Sequence, residues 1–383
     1  MKIFTKLLIF IILINVVIFQ KISAETEIKI GLLVPLSGKN SEIGKSIIKS
    51  IRIGINRIGD SSIKIIPKDT RSNPETTLRE AKKLTEDGIK IIIGPVFNEN
   101  LIYLDELNDV IFLSLTNMVI NNPKNIISAG INAISQLNTI SKFQKMNNIK
   151  KTILLTPKAN YKKEIENAIR QSNIKIKNVY YYNSDPTKLT KQIEDITKYR
   201  QRKQNLKDEI KRLENSNDVN KDKKIEKLKK SDTIGNINFD SVLIADFDET
   251  LKSITTSLLY TDVSPKRAYY ITMNQWFDES LLKEKSTQPI YFPSINKKNY
   301  VNFIDNYYKI FNEYPNQLSF LSYDLIGLVY YLIAKNDFKV DEKIFLKKNK
   351  FKGKVGIFEI KDNKINHILN FYKVENGNFK KIF

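Results

Sequence analysis

Gly88 to Asn117, GIKIIIGPVFNENLIYLDELNDVIFLSLTN, reads as a buried strand, a tight turn, a short helix and a second buried strand. Ile89 to Ile93 is apolar and β-branched apart from Lys90, the pattern of a parallel strand covered on both faces. Gly94-Pro95 closes it. An amphipathic segment from about Asn98 to Asn108 then leads to a second apolar run, Val110 to Leu115, which ends among the small polar residues Ser114, Thr116 and Asn117. In open α/β sheets ligands bind outside the carboxyl ends of the strands. Asn98, Ser114 and Thr116 are therefore the first candidates for a binding site, with ordinary turn chemistry as the competing account.

The same alternation extends on both sides of this stretch. Upstream, IKIGLLV at Ile28 to Val34 is a strand closed by Pro35-Leu36-Ser37-Gly38, and Ile43, Ile47, Ile51, Ile55 and Ile58 mark the buried face of a helix. Ile63 to Ile66 gives another strand ending near Asp69, and Asn73-Pro74-Glu75 opens a helix through Leu84, with proline where its missing N–H costs nothing. Strands alternating with helices in this way predict a parallel sheet with right-handed crossovers.

Past Ile126 to Ala129 the pattern begins again. Lys151 to Leu155 is a strand, Tyr161 to Gln171 a helix and Asn178 to Tyr182 a strand. After an interruption, Ser241 to Ala245 ends on Asp246-Phe247-Asp248, a helix runs to Leu259, and the strand Ala268 to Thr272 leads into Met273-Asn274-Gln275-Trp276-Phe277-Asp278. Both of those turns lie at carboxyl ends of strands. Tyr300 to Phe311 and Ser319 to Ala334 are aromatic-rich helices, and Gly353 to Val374 reads as terminal strands with turns at Asp362-Asn363 and Asn376-Gly377. The interruption, Thr187 to Lys230, is dense in charge and carries Leu189, Ile193, Ile196, Leu206, Ile210 and Leu213 near a spacing of 3.5. Asn215-Ser216-Asn217-Asp218 breaks it and Ile225 and Leu228 mark a shorter return helix, which predicts an antiparallel helical hairpin, either a solvated decoration or a docking arm.

A chain of 383 residues suffices for two domains with cores that need no staples. It has no cysteine, which excludes disulfides, thiolate metal sites and a cysteine-linked lipid anchor. Its one histidine, His367, lies in the strand-like run KINHILNFYKV and reads as structural, so neither a metal site nor a catalytic residue is assigned and no cofactor is implied. The net charge of +21 comes from lysine spread through the chain rather than clustered on one element, and no nucleic-acid partner is expected.

The first residues point to export. Lys2 and Lys6 form a positive region, Leu7 to Phe19 is apolar apart from Asn15, and Ile22-Ser23-Ala24 ends on the small residue a signal peptidase accepts. Residues 1–24 are thus expected to be a signal peptide, an uncleaved anchor being the alternative, and loss of Lys2, Lys6 and Lys21 would lower the charge from +21 to +18. No later segment looks apolar enough to span a membrane. One local motif misleads: Gly38 to Ser46, GKNSEIGKS, ends like a phosphate-binding loop, but five residues separate its glycines where the P-loop needs four.

Taken together, IKIGLLVPLSG, IIPKDTRSNPETTLREAKKL and IIIGPV followed by FLSLTN resemble the leucine-binding branch of type I periplasmic binding proteins, and LSYDLIGLVYYLIA and FKGKVGIFEI extend the likeness to the end of the chain. The resemblance implies an α/β protein of two lobes, each a mostly parallel sheet flanked by helices, with a small ligand held in a cleft between them. It implies lobe 1 at 25–130 with about 294–337, and lobe 2 at 131–293 with about 338–383, the hairpin 187–230 being inserted in the second. By position it puts Asn98 in the family's first ligand loop and Ser114 and Thr116 on the loop that holds an amino acid's carboxylate and amine. Tyr161 falls near a cleft tyrosine, and Asp246 and Trp276 are the strand-end residues of lobe 2. Where the amino-acid binders carry an acidic residue for the ligand's ammonium, this chain reads Met273-Asn274-Gln275-Trp276.

The hairpin and the Trp276-Phe277-Asp278 turn are more similar to the penicillin-binding-protein activators, which borrow the fold to stimulate a peptidoglycan synthase. Two functions stay open at this point. One is a non-catalytic periplasmic solute-binding protein that hands an amino acid or similar polar molecule to an ABC-type membrane transporter; the other is an activator of cell-wall synthesis that works by protein contact. Neither is an enzyme, and the sequence shows no nucleophile elbow and no histidine partner for one.

Overall fold

A computed structural model describes residues 27–158, 161–183, 185–273 and 276–383. The expected signal segment, residues 1–24, and the turn residues Asn274 and Gln275 lie outside the described residues. The described chain forms two units. The first comprises residues up to Leu115 with Pro123–Ile127 and Ser322–Phe345, and the second Thr116–Asn122, Ser128–Leu321 and Leu346–Phe383.

In the first unit, β1 (Ile28–Val34), β2 (Ile63–Asp69), β3 (Ile91–Ile93), β4 (Ile111–Ser114) and β5 (Ile126–Ser128) stand in the order β5-β4-β3-β1-β2. The pairs β1–β2, β1–β3 and β3–β4 are parallel, and Ile91, Ile92, Ile93, Phe112 and Leu113 are wholly buried, as the continuous apolar runs predict. Helices α1 (Ser41–Ile58) and α2 (Pro74–Glu86) make the crossovers, α2 being capped by Asn73, whose side chain accepts the Thr76 N–H. Gly44 explains the false phosphate motif. A Cβ there would stand 1.8 Å from the Pro35 carbonyl oxygen, so this glycine serves the close approach of α1 to the loop after β1.

The helix expected over about Asn98 to Asn108 is instead two short 3₁₀ turns, Asn98–Leu101 and Leu104–Glu106. Leu101 and Leu104 are both buried, and their three-residue spacing suits the tighter turn.

In the second unit, β6 (Thr152–Pro157), β7 (Asn178–Tyr182), β8 (Ser241–Ile244), β9 (Tyr269–Thr272) and β10 (Ile290–Ser294) form a parallel core in the order β10-β9-β8-β6-β7. Helix α3 (Ala133–Met146), which the sequence reading passed over, precedes them. Its polar residues Ser135, Gln136, Thr139, Ser141 and Gln144 are as buried as Leu137, Ile140 and Phe143, so no apolar stripe betrays it. Gln144 illustrates how they are satisfied: its amide donates to Thr152 Oγ1 at 2.7 Å. Helix α4 (Lys162–Gln171) follows β6.

The interruption is three helices rather than the two-helix arm expected over 187–230: α5 (Pro186–Ile196), α6 (Tyr199–Glu214) and α7 (Lys221–Lys229). Lys198, in the left-handed region at φ 53°, separates α5 from α6 and breaks the apparent heptad. Helix α5 packs through buried Leu189 and Ile193, and Thr190 Oγ lies 3.0 Å from Ser257 Oγ on α8 (Asp248–Tyr260), so α5 is part of the unit's helical layer. Only α6 and α7 form the hairpin, with Leu206, Leu213 and Ile225 buried and Leu228 half-buried, while Ile196, expected to pair within it, ends α5.

A short helix, α9 (Ser280–Lys283), precedes β10, and α10 (Lys297–Phe311) and α11 (Gln317–Lys335) follow it. Residues 297–321 group with the second unit, whereas the sequence had placed about 294–337 with the first. Helix α11 is, contrary to expectation, long and apolar enough to cross a membrane by length and composition, yet Phe320, Ile326, Leu328, Val329 and Ile333 are wholly buried within the fold.

The chain closes with five strands: β11 (Asn349–Lys352), β12 (Ile357–Lys361) and β13 (Lys364–Ile368) continue the first sheet beyond β5, and β14 (Asn370–Glu375) and β15 (Asn378–Lys381) extend the β10 edge of the second antiparallel. The turns foreseen at Asp362-Asn363 and Asn376-Gly377 join β12 to β13 and β14 to β15. All four residues have positive φ, between 52° and 70°, as two-residue hairpins require.

Candidate functional site

In the first unit the strand-end loops are tied by their own polar groups. Asp69, at the end of β2, accepts from the Leu36 N–H at 2.8 Å, Ser37 Oγ at 2.6 Å and the Arg71 N–H at 2.9 Å. Burial pushes its carboxyl up, but these hydrogen bonds outweigh burial and hold it below the ordinary value. Ser114 is fully buried and its hydroxyl donates to the Pro95 carbonyl at 2.8 Å, so its proton serves the turn after β3. Asn98 is half-buried at the start of its 3₁₀ turn, while the neighbouring Asn100 is the buried amide, 1% exposed.

The other candidates fall in the second unit, Thr116 after β4, Tyr161 after β6, Asp246 after β8 and Trp276 after β9. Thr116 is buried, and its hydroxyl accepts the Met118 N–H at 3.2 Å, shaping a turn. Tyr161 donates to the Ala245 carbonyl at 3.4 Å, and Tyr182 donates to Asp246. Burial first, and the Asp246 charge second, push the Tyr161 hydroxyl up to about 12; burial and the bond to Asp246 raise that of Tyr182 further. Both phenols stay protonated as donors. Tyr182 was absent from the sequence candidates because its apolar β-strand setting, NVYYY, gives no sign of which tyrosine turns to a carboxylate.

Beside this trio, and wholly within the second unit, lies a cavity of about 950 Å³. Its aromatic walls are Phe247, Trp276, Phe277, Tyr300 and Phe379, with the Trp276 and Tyr300 ring centroids 6.0 Å apart. Asp248, Asp278 and Glu279 add three carboxylates, against Lys297 as the one cation among the described lining residues. Two wall residues have left-handed backbone, Asp248 at φ 50° and Phe277 at φ 64°. For a bulky side chain such as Phe277 that conformation is costly, and it persists here because the ring is packed against Tyr372 at 4.9 Å and Phe379 at 5.5 Å.

Of the six residues singled out by sequence, Trp276 lines this cavity; Asp246, whose charge acts on Tyr161, directly precedes its wall residue Phe247. Thr116 precedes the lining residue Asn117; Asn98 and Ser114 belong to the first unit. Lys297, Tyr300 and Phe379 were missed. They come from α10 and the last hairpin, and nothing in their local sequence announces that these elements close on the Trp276 turn.

A family model described as periplasmic binding protein matches residues 27–198, a little under half of the chain. An uncharacterized protein of Rickettsia prowazekii is 24% identical over 180 residues, 45% of this chain and 48% of its own length; the match thus spans about half of that relative. The structure of the C-domain of LpoA from Haemophilus influenzae, described as a regulator of PBP1A, aligns at 15% identity with a TM-score of 0.60, covering 93% of this chain and 100% of that one. The substrate-binding protein LivJ of a branched-chain amino-acid transporter from Streptococcus pneumoniae, solved with isoleucine, aligns at 16% identity with a TM-score of 0.53, covering 92% and 97%. The class is therefore defined by fold: an α/β protein of the two-lobed type I periplasmic-binding fold. Within it the chain is similar both to leucine-binding proteins and to the LpoA regulator domain.

Proposed function

We propose that this chain is a non-catalytic, extracytoplasmic solute-binding protein that holds a small polar solute, of the amino-acid class or somewhat larger, beside Trp276 and passes it to a membrane transporter. The cavity carries this reading. At about 950 Å³, with charged and amide groups set among aromatic walls, it has the size and the mixed lining of a solute site. The signal-like pattern ending at Ala24 supports an extracytoplasmic setting, where such solutes are met. The chain's one histidine supports a binding rather than a catalytic role, since His367 is buried against the Ala129 carbonyl. Titration calorimetry of the protein against amino acids and other polar solutes tests the proposal. At least one should bind, with affinity lost in Trp276→Ala, and silence across the panel at millimolar concentration overturns it.

A second reading, regulation of a peptidoglycan synthase by protein contact, is favoured by one observation. The likeness to the LpoA C-domain covers all of that chain, and this protein presents the α6–α7 hairpin, whose Lys and Arg outnumber its Asp and Glu.

A further inference from the structure

We propose that the cavity beside Trp276 selects organic cations, that is, solutes carrying an ammonium group on an apolar or flat body; this rests on the solute-binding reading above. The chain as a whole has 63 basic against 42 acidic residues, yet the cavity wall reverses that balance, with Asp248, Asp278 and Glu279 facing only Lys297. The carboxylates differ in what they are free to do. Asp278 accepts from the Ser280 N–H at 2.8 Å and Ser280 Oγ at 2.6 Å, so it is engaged with the start of α9. Asp248 and Glu279 are exposed and make no side-chain hydrogen bond or ion pair among the described residues, so both are accessible to a ligand's ammonium.

The aromatic wall points to the same chemistry. The Lys297 ammonium already lies over the Phe379 ring at 4.7 Å and near the Phe277 ring at 5.9 Å, so one side of the cavity binds a cation supplied by the chain itself. Trp276, Phe247 and Tyr300 offer the same kind of π-face to a second cation, and indole is the strongest of the three. Lys297 has a further effect: it leaves a place for one negative group, so an amino acid can enter, but a net cation gains from two carboxylates without opposing a third charge. The left-handed Asp248 sets its carboxylate at the first residue of α8, which fixes the cation's seat on a regular element.

The test uses four probes with one body: phenethylamine, phenylalanine, 2-phenylethanol and 3-phenylpropionate. Trp276 is the chain's only tryptophan, so its fluorescence, excited beyond phenyl absorption, reports this cavity alone. Phenethylamine should bind at least tenfold more tightly than the alcohol or the anion, with phenylalanine between them. Asp248→Asn combined with Glu279→Gln should erase that preference without changing the unfolding midpoint. Equal affinities for all four, a preference for the anion, or a double variant with its cation preference intact overturns the proposal while leaving the solute-binding reading standing. Should none of the four bind, the calorimetric panel decides: a neutral or anionic solute as the tightest binder overturns the cation assignment alone, a cationic one supports it, and no binder at all overturns both readings.

Discussion

Arg202, 2% exposed at the foot of the hairpin, donates through Nη1 to Thr233 Oγ1 at 2.8 Å. Thr233 in turn donates to Asp262, which is held from the other side by Arg267 at 3.1 Å. The same guanidinium donates through Nε to the Thr197 carbonyl at 3.0 Å and through Nη2 to the Thr261 carbonyl at the end of α8. It thereby binds the break before α6, the chain after α7 and the end of α8. Burial lowers its pKa from the usual guanidinium value, but each of its three nitrogens has an acceptor, so the group is retained as a charge. Arg202→Ala leaves two carbonyls and a hydroxyl buried without this donor and should cost about 3 kcal/mol. Urea unfolding checks it; a loss below about 1 kcal/mol would mean that water replaces the guanidinium.

The hairpin above Arg202 separates the two proposed functions. It adds no strand to either sheet, and long surface insertions cost little loop entropy, so replacing Lys207–Lys227 by a short Gly-Ser linker should leave the protein folded. The replacement keeps Arg202 and Leu206, which a cut at Lys198 would remove. Solute affinity should survive it. Loss of stimulation of a peptidoglycan synthase, with folding retained, would favour the regulatory reading; failure to fold would show that α6 and α7 belong to the core.

Local pattern carried the sheets because Ile28–Val34, Ile91–Ile93 and Ser241–Ile244 are continuous apolar runs bounded by turn residues. It failed at α3, where buried serine, threonine and glutamine hide the helical stripe, and at Lys198, where one left-handed residue redirects a chain whose spacing still fits a heptad. The site divides in the same way. Trp276 and Asp246 were legible as strand-end residues, but the partners that give them meaning, Tyr300, Lys297 and Tyr182, are joined to them only through tertiary packing.

His367 makes acid a selective stress. The residue is 7% exposed, Nε2 donates to the Ala129 carbonyl at 3.1 Å, and its backbone N–H donates to Ser135 Oγ at 2.8 Å. Burial lowers its pKa from 6.5 to about 4. Between those values the unfolded chain binds a proton that the folded one refuses, so stability falls as pH drops through this window, by about 3 kcal/mol in all. His367→Gln keeps a donor and cannot titrate. Its urea midpoint should change less between pH 7 and pH 4 than that of the parent protein, and equal changes would place the acid sensitivity elsewhere.

Glu164 gives the opposite dependence. Its buried carboxylate, in the first turn of α4, accepts from the Val119 N–H at 3.2 Å and the Ile120 N–H at 3.3 Å and so holds residues 119–120 to that helix. Burial pushes its pKa above the ordinary 4.5, against the lowering effect of the two N–H groups and of Lys364. A raised carboxyl pKa means that the folded state keeps the proton longer than the unfolded one. The associated stability is complete below the unfolded value and is lost as pH rises through the folded one. Glu164→Gln retains an acceptor oxygen and buries no charge, so it should be at least as stable as the parent at pH 8, with a flatter pH profile above 4.5. Glu164→Ala leaves two N–H groups without their acceptor and should lose about 1–3 kcal/mol. Thermal unfolding of both variants at pH 5 and pH 8 distinguishes the contributions. If the glutamine variant is as unstable as the alanine one, the negative charge itself, rather than the acceptor geometry, holds the segment.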